Sequence, residues 1–289
     1  MTAAPSEGRA ALRDAAAVDL HAHTTASDGT ATPERFVQAA RAAGLSAVAV
    51  TDHDTVAAVE PVRRLAAGAG LHVVAGVEMS VHDAEGKEVH MLGLHVADLG
   101  MVERALAAVR KARVERARLM VEKLRALGVQ LGMADVLAEA GGGAVGRPHV
   151  ARALVKAGRA ATAQAVFDNW IGAGKPAYVE KQRLAVEEGI AIIRAAGGIA
   201  VWAHPGAEGT RERVAALAAA GLDGLEVRHP SHAPADTERL RALVDELDLV
   251  PSGGSDWHGA AGGPRVLGCM HVSAVWMELQ LAHLAGRAA

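Results

Sequence analysis

Apolar residues along this chain fall in short, nearly continuous runs set between longer segments of helical period. Ala15 to Leu20, Ser46 to Val50, Leu71 to Val77 and Glu88 to Leu94 have the length of strands buried on both faces, about 4 to 8 residues. Between the first two, Thr32-Pro33-Glu34 predicts a helix start. Thr32 is placed to cap free amides, Pro33 occupies the first turn, where no donor is missed, and Gly44 suits the far end. Asp54-Thr55 predicts a second helix that closes near Gly68 to Gly70. Strands alternating with helices imply a largely parallel sheet or barrel covered by helices.

The alternation breaks after His95. Residues 101 to 128 form one long helical pattern ending at Gly128, and further helical pieces follow, punctuated by Gly141-Gly142-Gly143 and Gly172-Ala173-Gly174. Strands return at Ile199 to Ala203, Gly224 to Val227 and Leu249 to Gly253. The reading is an α/β barrel in two parts, residues 1–97 and 181–289, with a helical insertion over 98–180 that serves as lid or substrate-binding unit. No repeat of fixed period is present.

At 289 residues, 51% of them apolar, the chain can bury a large core. A single cysteine, Cys269, rules out an internal disulfide and any Cys-rich zinc module, so metal chemistry must use His and carboxylates. A formal charge of -3 offers no global attraction for nucleic acid. Glu7, Arg9, Arg13 and Asp14 stand where a signal peptide needs an apolar core, and no apolar stretch is long enough to span a bilayer, so a cytoplasmic protein with no membrane partner is expected. The outlier is histidine: 14 residues, twice the seven Phe, Trp and Tyr together.

Many of those histidines sit where strands end. Asp19-Leu20-His21-Ala22-His23 continues the first apolar run, and side chains two apart on a strand point the same way, so His21 and His23 can converge on one ion. Asp52-His53-Asp54 follows the second run and Glu78 the third; His90 lies in the fourth; His204 and Asp256-Trp257-His258 follow later ones. The C-terminal strand ends of a parallel α/β fold form one rim, so these positions meet there. Each has a bland use alone: Asp28-Gly29 makes a turn, and Asp52 and Asp54 orient His53 or cap the next helix. Scattered structural uses would not all fall at one rim, and their conjunction points to metal.

DLHAH, SDGT, TDHD, GVE, EVHMLGL, AHP and SDWHG, in this order over residues 19 to 258, resemble the PHP (polymerase and histidinol phosphatase) family of metal-dependent phosphoesterases. The resemblance implies a distorted seven-stranded (β/α) barrel. The insertion, with GRPH and GKPAYV inside it, is similar to the TrpH-type subfamily, whose members act on nucleoside 3′,5′-bisphosphates and short 5′-phosphorylated RNA. Carried over residue by residue, the likeness implies three divalent ions, manganese, iron or zinc. His21, His23, Glu78 and Asp256 would hold one; Glu78 would bridge to a second held by His90 and His204; Asp28, His53 and His258 would hold the third. In the loop Arg228-His229-Pro230-Ser231-His232, the likeness marks Ser231 and His232 as substrate-binding and His232 as a candidate general acid.

Three divalent ions carry twice the charge of the carboxylates Asp28, Glu78 and Asp256, so the implied pocket attracts phosphate. Arg147 and Lys175 sit where a lid would carry cations toward a second phosphate. The resemblance implies a small nucleotide ester or short RNA as substrate, cleaved at the 3′-phosphate. The segment 101 to 128 holds eight Lys or Arg against three Glu, which is either a track for RNA or a solvated helix face. Tyr178 is a candidate to stack on a base. Two other readings remain: a phosphomonoesterase of the histidinol-phosphate type, and a non-catalytic metal-binding module. His72, His82, His95, His271, His283 and Cys269 have no converging partner, and Trp202, Trp257 and Trp276 read as packing.

Overall fold

A computed structural model of the chain describes residues 17–180 and 184–288. Ala15 and Ala16, the charged opening segment and the expected boundary near residue 181 lie outside them. The strands are β1 (Ala17–Asp19), β2 (Ala47–Val50), β3 (His72–His82), β4 (Glu88–Leu94), β5 (Ile199–Trp202), β6 (Gly224–Arg228), β7 (Val250–Gly253) and β8 (Val272–Ser273). They form one sheet in the order β7-β6-β5-β4-β3-β2-β1-β8. Beyond the strand ends, Leu20 N–H donates to Gly253 O at 3.1 Å, Asp256 N–H to His21 O at 2.9 Å and His23 N–H to Trp257 O at 2.8 Å. These bonds join β7 to β1 and bring seven strands round into a nearly closed barrel. The two-residue β8, which the sequence reading did not include, lies antiparallel on β1.

The sheet is less parallel than expected. β4 is antiparallel to both β3 and β5, because only the hairpin at Asp83–Lys87 joins β3 to β4 and no helix crosses over. Asp83 accepts the N–H groups of Glu85 and Lys87, and Gly86 turns at φ +79°. β3 accordingly runs past the expected Val77 to His82, and Glu78 lies within it.

Strand alternation explains the two apolar clusters. Ala47, Ala49, Val74, Leu92, Leu94, Ile199 and Val201 belong to an inner cluster, and Val48, Val50, Val73, Val77, Leu225 and Val227 to an outer one beneath the helices. The inward series continues upward as Thr51 and His53, as Gly76 and Glu78, and, on the reversed β4, from Leu92 to His90. One face of each strand thus carries core at one end and chemistry at the other.

Helix α1 (Pro33–Ala42) begins as the sequence suggests, with Thr32 Oγ1 accepting the Arg35 N–H at 3.4 Å. Helix α2 (Val59–Ala66) begins later than expected, since Asp54 adopts φ +52° and its carboxylate is engaged elsewhere. The long α3 (Leu99–Ala126) is capped by Asp98, which accepts the Met101 N–H at 2.8 Å. Its first half places Val102 and Leu106 in the outer barrel cluster. Its second half places Met120 and Leu124 in a separate cluster with residues of α4 (Met133–Ala140), α5 (Arg147–Lys156) and α6 (Ala163–Val166). Helices α7 (Val186–Ala195), α8 (Arg211–Ala219) and α9 (Pro234–Glu246) complete the outer layer.

The last helix, α10 (Ala274–Ala288), closes the other end of the barrel. Met277 and Leu284 pack on the inner cluster, and His283 and Arg287 each lie 3.0 Å from the buried Asp223, just before β6. His95 likewise has a partner, Gln280, at 3.0 Å. Trp202 and Trp257 are buried in the outer cluster, and Trp276 packs against both. Among the described residues, no helix is long and apolar enough to cross a membrane.

Candidate metal centre

All nine expected side chains meet in one mouth of the barrel. Glu78, 1% exposed, is the hub. Its Oε2 lies 3.4 Å from His21 Nε2, 3.2 Å from His23 Nε2 and 3.0 Å from His53 Nδ1. Its Oε1 lies 2.8 Å from His90 Nδ1 and 3.1 Å from His204 Nε2. Asp256 Oδ1 lies 3.4 Å from His21, 3.2 Å from His23 and 3.6 Å from His258. Asp28 faces His258 at 3.2 Å, His53 at 3.8 Å and His23 at 4.0 Å. Four overlapping sets have the spacing of an ion's ligands: His21, His23, Glu78 and Asp256; His23, Asp28, His53 and His258; His53, Glu78 and His90; and His21, Glu226 and His229. His53 joins two of these sets, a sharing that the sequence reading did not include.

The donor atoms fit metal. His21 Nε2, both ring nitrogens of His23, His53 Nδ1, Asp28 Oδ1 and Glu78 Oε2 are buried and make no hydrogen bond. Converging buried nitrogens and oxygens without hydrogen-bond partners are costly unless an ion serves them, and mixed imidazole and carboxylate ligands suit manganese, iron and zinc. In the metal-free protein the carboxylates and imidazoles balance one another. Burial raises the pKa of Glu78, Asp28 and Asp256, yet the surrounding imidazoles outweigh it and hold all three well below the carboxylate range. Burial lowers His23, but Asp256 and Glu78 push it up to about 10. At His53 burial wins over Glu78 and Asp28, and the pKa falls to about 3. The acidic oxygens therefore stay ionised and hold cationic groups against them.

A second layer of carboxylates shapes the loops. Asp19 accepts backbone N–H groups of His21, Ser255 and Gly268, tying β1 to the loop that carries Asp256. Asp52 accepts from Thr24 N–H and hydroxyl, each at 2.8 Å, and from the Ser27 hydroxyl at 2.6 Å. It thus orders the loop before Asp28 rather than orienting His53. Asp54 caps no helix: it accepts the Ser80 N–H at 3.1 Å and pairs with the buried Arg113 of α3.

The loop 228–232 is arranged differently from the expectation. His232 Nδ1 lies 3.0 Å from Val227 O, and its Nε2 accepts the Gly206 N–H at 3.1 Å. Both nitrogens are held by backbone, which leaves His232 no proton to donate to a substrate. The Ser231 hydroxyl is likewise engaged by His229 Nδ1 at 2.7 Å. His229 is the imidazole that faces the centre: it is buried, and its Nε2 makes no hydrogen bond and lies 3.5 Å from Asp256 Oδ2.

A cleft of ≈ 140 Å³ opens beside the ligands, lined by Asp28, His53 and His90 together with Glu88, Arg113, Arg116 and Arg147. Arg147 lines this cleft. Lys175 is exposed and does not line this cleft; Arg116, one turn beyond Arg113 on α3, is there instead. Tyr178 is flanked by the guanidinium groups of Arg116 and Arg147, 5.7 and 6.0 Å from its ring, so its faces meet arginine rather than a base. The basic run of α3 is largely engaged within the protein: Arg110 and Arg118 pair with neighbouring Glu side chains, and Arg116, Lys123 and Arg125 donate to backbone carbonyls.

The sequence reading missed Glu226, Arg113, Arg116 and Arg265. Glu226 lies 3.0 Å from His21 Nδ1, and Arg265 contacts Asp256 Oδ2. A lone Glu in the apolar run Gly224 to Val227 was the available signal for the first. Nothing in the sequence distinguishes the arginines.

Comparison with known proteins agrees with this geometry. The sequence profile of the PHP domain matches residues 19–183. The chain is 37% identical to the 5′-3′ exoribonuclease Rnm of Escherichia coli, over 83% of this chain and 84% of that one. It is 34% identical to the 3′,5′-nucleoside bisphosphate phosphatase of Chromobacterium violaceum, over 91% and 96%. A metal-dependent phosphoesterase structure from Bifidobacterium adolescentis superposes with a TM-score of 0.85 at 36% identity, covering 93% of this chain and 96% of that one.

Proposed function

This chain belongs to the PHP-domain family of metal-dependent phosphoesterases, and from that premise we propose that it hydrolyses nucleotide esters at the phosphorus of a 3′-phosphate. The substrate is a nucleoside 3′,5′-bisphosphate, which loses its 3′-phosphate, or a short 5′-phosphorylated RNA, which releases nucleotides from its 5′ end. Both place a scissile 3′ phosphoester one nucleoside away from a 5′-phosphate.

The observation that carries the reading is the pairing of two features in one mouth: buried nitrogens and oxygens that lack hydrogen bonds, and a cleft walled by Arg147, Arg116 and Arg113. His21, His23, Asp28, His53, Glu78, His90, His204, Asp256 and His258 are assigned to three divalent ions, manganese, iron or zinc. Such ions, when bound, acidify a water for attack and neutralise the phosphoryl oxygens. The chain does the positioning. Glu78 presents one oxygen to His21, His23 and His53 and the other to His90 and His204, so a single carboxylate spans the ligand sets. Arg147 supplies a guanidinium suited to a bidentate phosphate contact. A simple monoester needs no second anion site, which favours this reading over a histidinol-phosphate-type substrate.

The test compares kcat/KM for a nucleoside 3′,5′-bisphosphate with that for the same nucleoside 3′-phosphate, and for a 5′-phosphorylated oligoribonucleotide with its 5′-hydroxyl form. A preference of tenfold or more for the 5′-phosphorylated member of each pair is expected. Equal rates would overturn the assignment of Arg147 and the substrate class with it. His204→Ala and Asp256→Asn are expected to abolish turnover on either substrate.

A further inference from the structure

We propose that Glu226 is a positioning residue of the metal centre: one buried carboxylate selects the ring nitrogen that His21 offers to an ion and also holds the backbone of His204 in its turn. The proposal rests on the reading of the nine side chains as ligands.

Both oxygens of Glu226 are engaged by protein nitrogens. Oε1 lies 3.0 Å from His21 Nδ1, and Oε2 accepts the His204 backbone N–H at 2.6 Å. Glu226 also has ligand spacing with His21 and His229, but its two hydrogen bonds to His21 and His204 make it a partner of ligands. A neutral imidazole has one N–H, and a carboxylate at Nδ1 draws the hydrogen there and leaves the lone pair on Nε2. His21 Nε2 is the atom that lies 3.4 Å from both Glu78 Oε2 and Asp256 Oδ1, buried and without a hydrogen bond.

His204 is a different case, for its backbone rather than its ring is held. Its φ of +33° is uncommon for a residue with a side chain, and this turn directs its ring Nε2 to within 3.1 Å of Glu78 Oε1. A short bond from the His204 N–H to a carboxylate offsets the strain of the turn. His21 and His204 thus approach opposite oxygens of Glu78 under the control of one side chain on β6.

Placement in the strand agrees. Leu225 and Val227 pack into the outer cluster, so alternation sends Glu226 inward, where it is 0% exposed. A buried ionised carboxylate is costly unless paired, and packing alone would be served by an uncharged residue.

Glu226→Gln separates the two roles. Its amide oxygen can still accept the His204 N–H, but its NH2 group then faces His21 Nδ1. That nitrogen must become an acceptor, and the ring hydrogen moves to Nε2, where an ion needs the lone pair. Metal-free wild type and variant are titrated with zinc against a chromophoric chelator. The variant is expected to bind at least one zinc about 10- to 100-fold more weakly, a larger loss than any fall in the thermal midpoint of the metal-free protein accounts for. In a His21→Ala background the same substitution is expected to change zinc affinity by less than threefold. Unchanged affinity in the folded variant overturns the proposal, as does a loss that merely tracks a lowered metal-free midpoint. Should the variant not fold, wild type labelled with 15N-histidine and loaded with zinc gives the answer: a long-range 1H–15N spectrum is expected to show His21 protonated on Nδ1, and zinc on Nδ1 overturns the proposal. Wild type that binds no zinc overturns the metal-centre reading as well, whereas normal wild-type binding with an unaffected variant sinks this inference alone.

Discussion

Arg113 ties helix α3 to the rim of the barrel, and Arg113→Met tests what that tie contributes. The Arg113 side chain is 8% exposed and that of Asp54 0%. Arg113 Nε donates to Asp54 Oδ2 at 2.5 Å, and Nη2 reaches the Ser80 hydroxyl at 3.3 Å. Asp54 in turn follows His53 and accepts the N–H of Ser80, two residues beyond Glu78. Methionine keeps much of the apolar stem contact but removes the charge opposite a buried carboxylate. Removing one partner of a buried pair costs about 3–5 kcal/mol. At about 2–4 °C per kcal/mol for a chain of this size, the thermal midpoint falls by on the order of 6–20 °C. The measurement belongs in metal-free protein, where ion binding adds nothing to stability. Adding Asp54→Asn is expected to recover part of the loss, since the carboxylate charge is then gone. A cost below about 1 kcal/mol, the range of exposed pairs, would refute the reasoning.

Other outcomes follow from the same geometry. Arg147→Ala is expected to raise KM for a 3′,5′-bisphosphate by about 10- to 100-fold, as for a lost charge-assisted hydrogen bond of roughly 1.5–3 kcal/mol, with kcat little changed; unaltered KM in steady-state kinetics contradicts it. Lys175→Ala, at an exposed position away from the cleft, is expected to leave KM within twofold. His149 is fully buried, its Nδ1 accepts the Gly146 N–H at 2.9 Å, and its Nε2 lies 2.9 Å from Ser27 O. Burial first, and then Arg152, lower its pKa from 6.5. The folded protein therefore keeps it neutral while the unfolded chain takes up a proton, and its contribution to stability is lost as pH falls below 6.5, by up to about 1.4 kcal/mol per unit. Urea unfolding at pH 7.5 and 5.5 is expected to show a shallower pH slope in His149→Asn than in wild type; equal slopes contradict the assignment.

Much of the centre was legible because the strand end imposes a local code. His21 and His23 share a face at spacing two, and each remaining ligand but two follows an apolar run. Asp28 lies in a polar turn that only the family likeness marked, and His90 reaches the rim from the start of β4 because that strand is reversed, which a local pattern does not record. The assignment of Asp54 to a helix cap failed for a similar reason. Its partner, Arg113, lies 59 residues away, and a buried tertiary pair overrode a local cap preference. The family likeness marked His232 as chemical, yet Val227 O and Gly206 N–H, one of them from a different loop, hold both its nitrogens. Glu226 needed the opposite correction: one charged residue in an apolar strand is informative only once the strand's inward face is known.

The proposed centre is three divalent ions held by nine side chains. Anomalous diffraction at the manganese edge, from crystals grown after reconstitution with manganese, measures this directly. Three peaks per chain are predicted in the mouth around Glu78: one among His21, His23, Glu78 and Asp256, one beside Glu78, His90 and His204, and one among Asp28, His53 and His258. Peaks elsewhere, or none within that mouth, would contradict it.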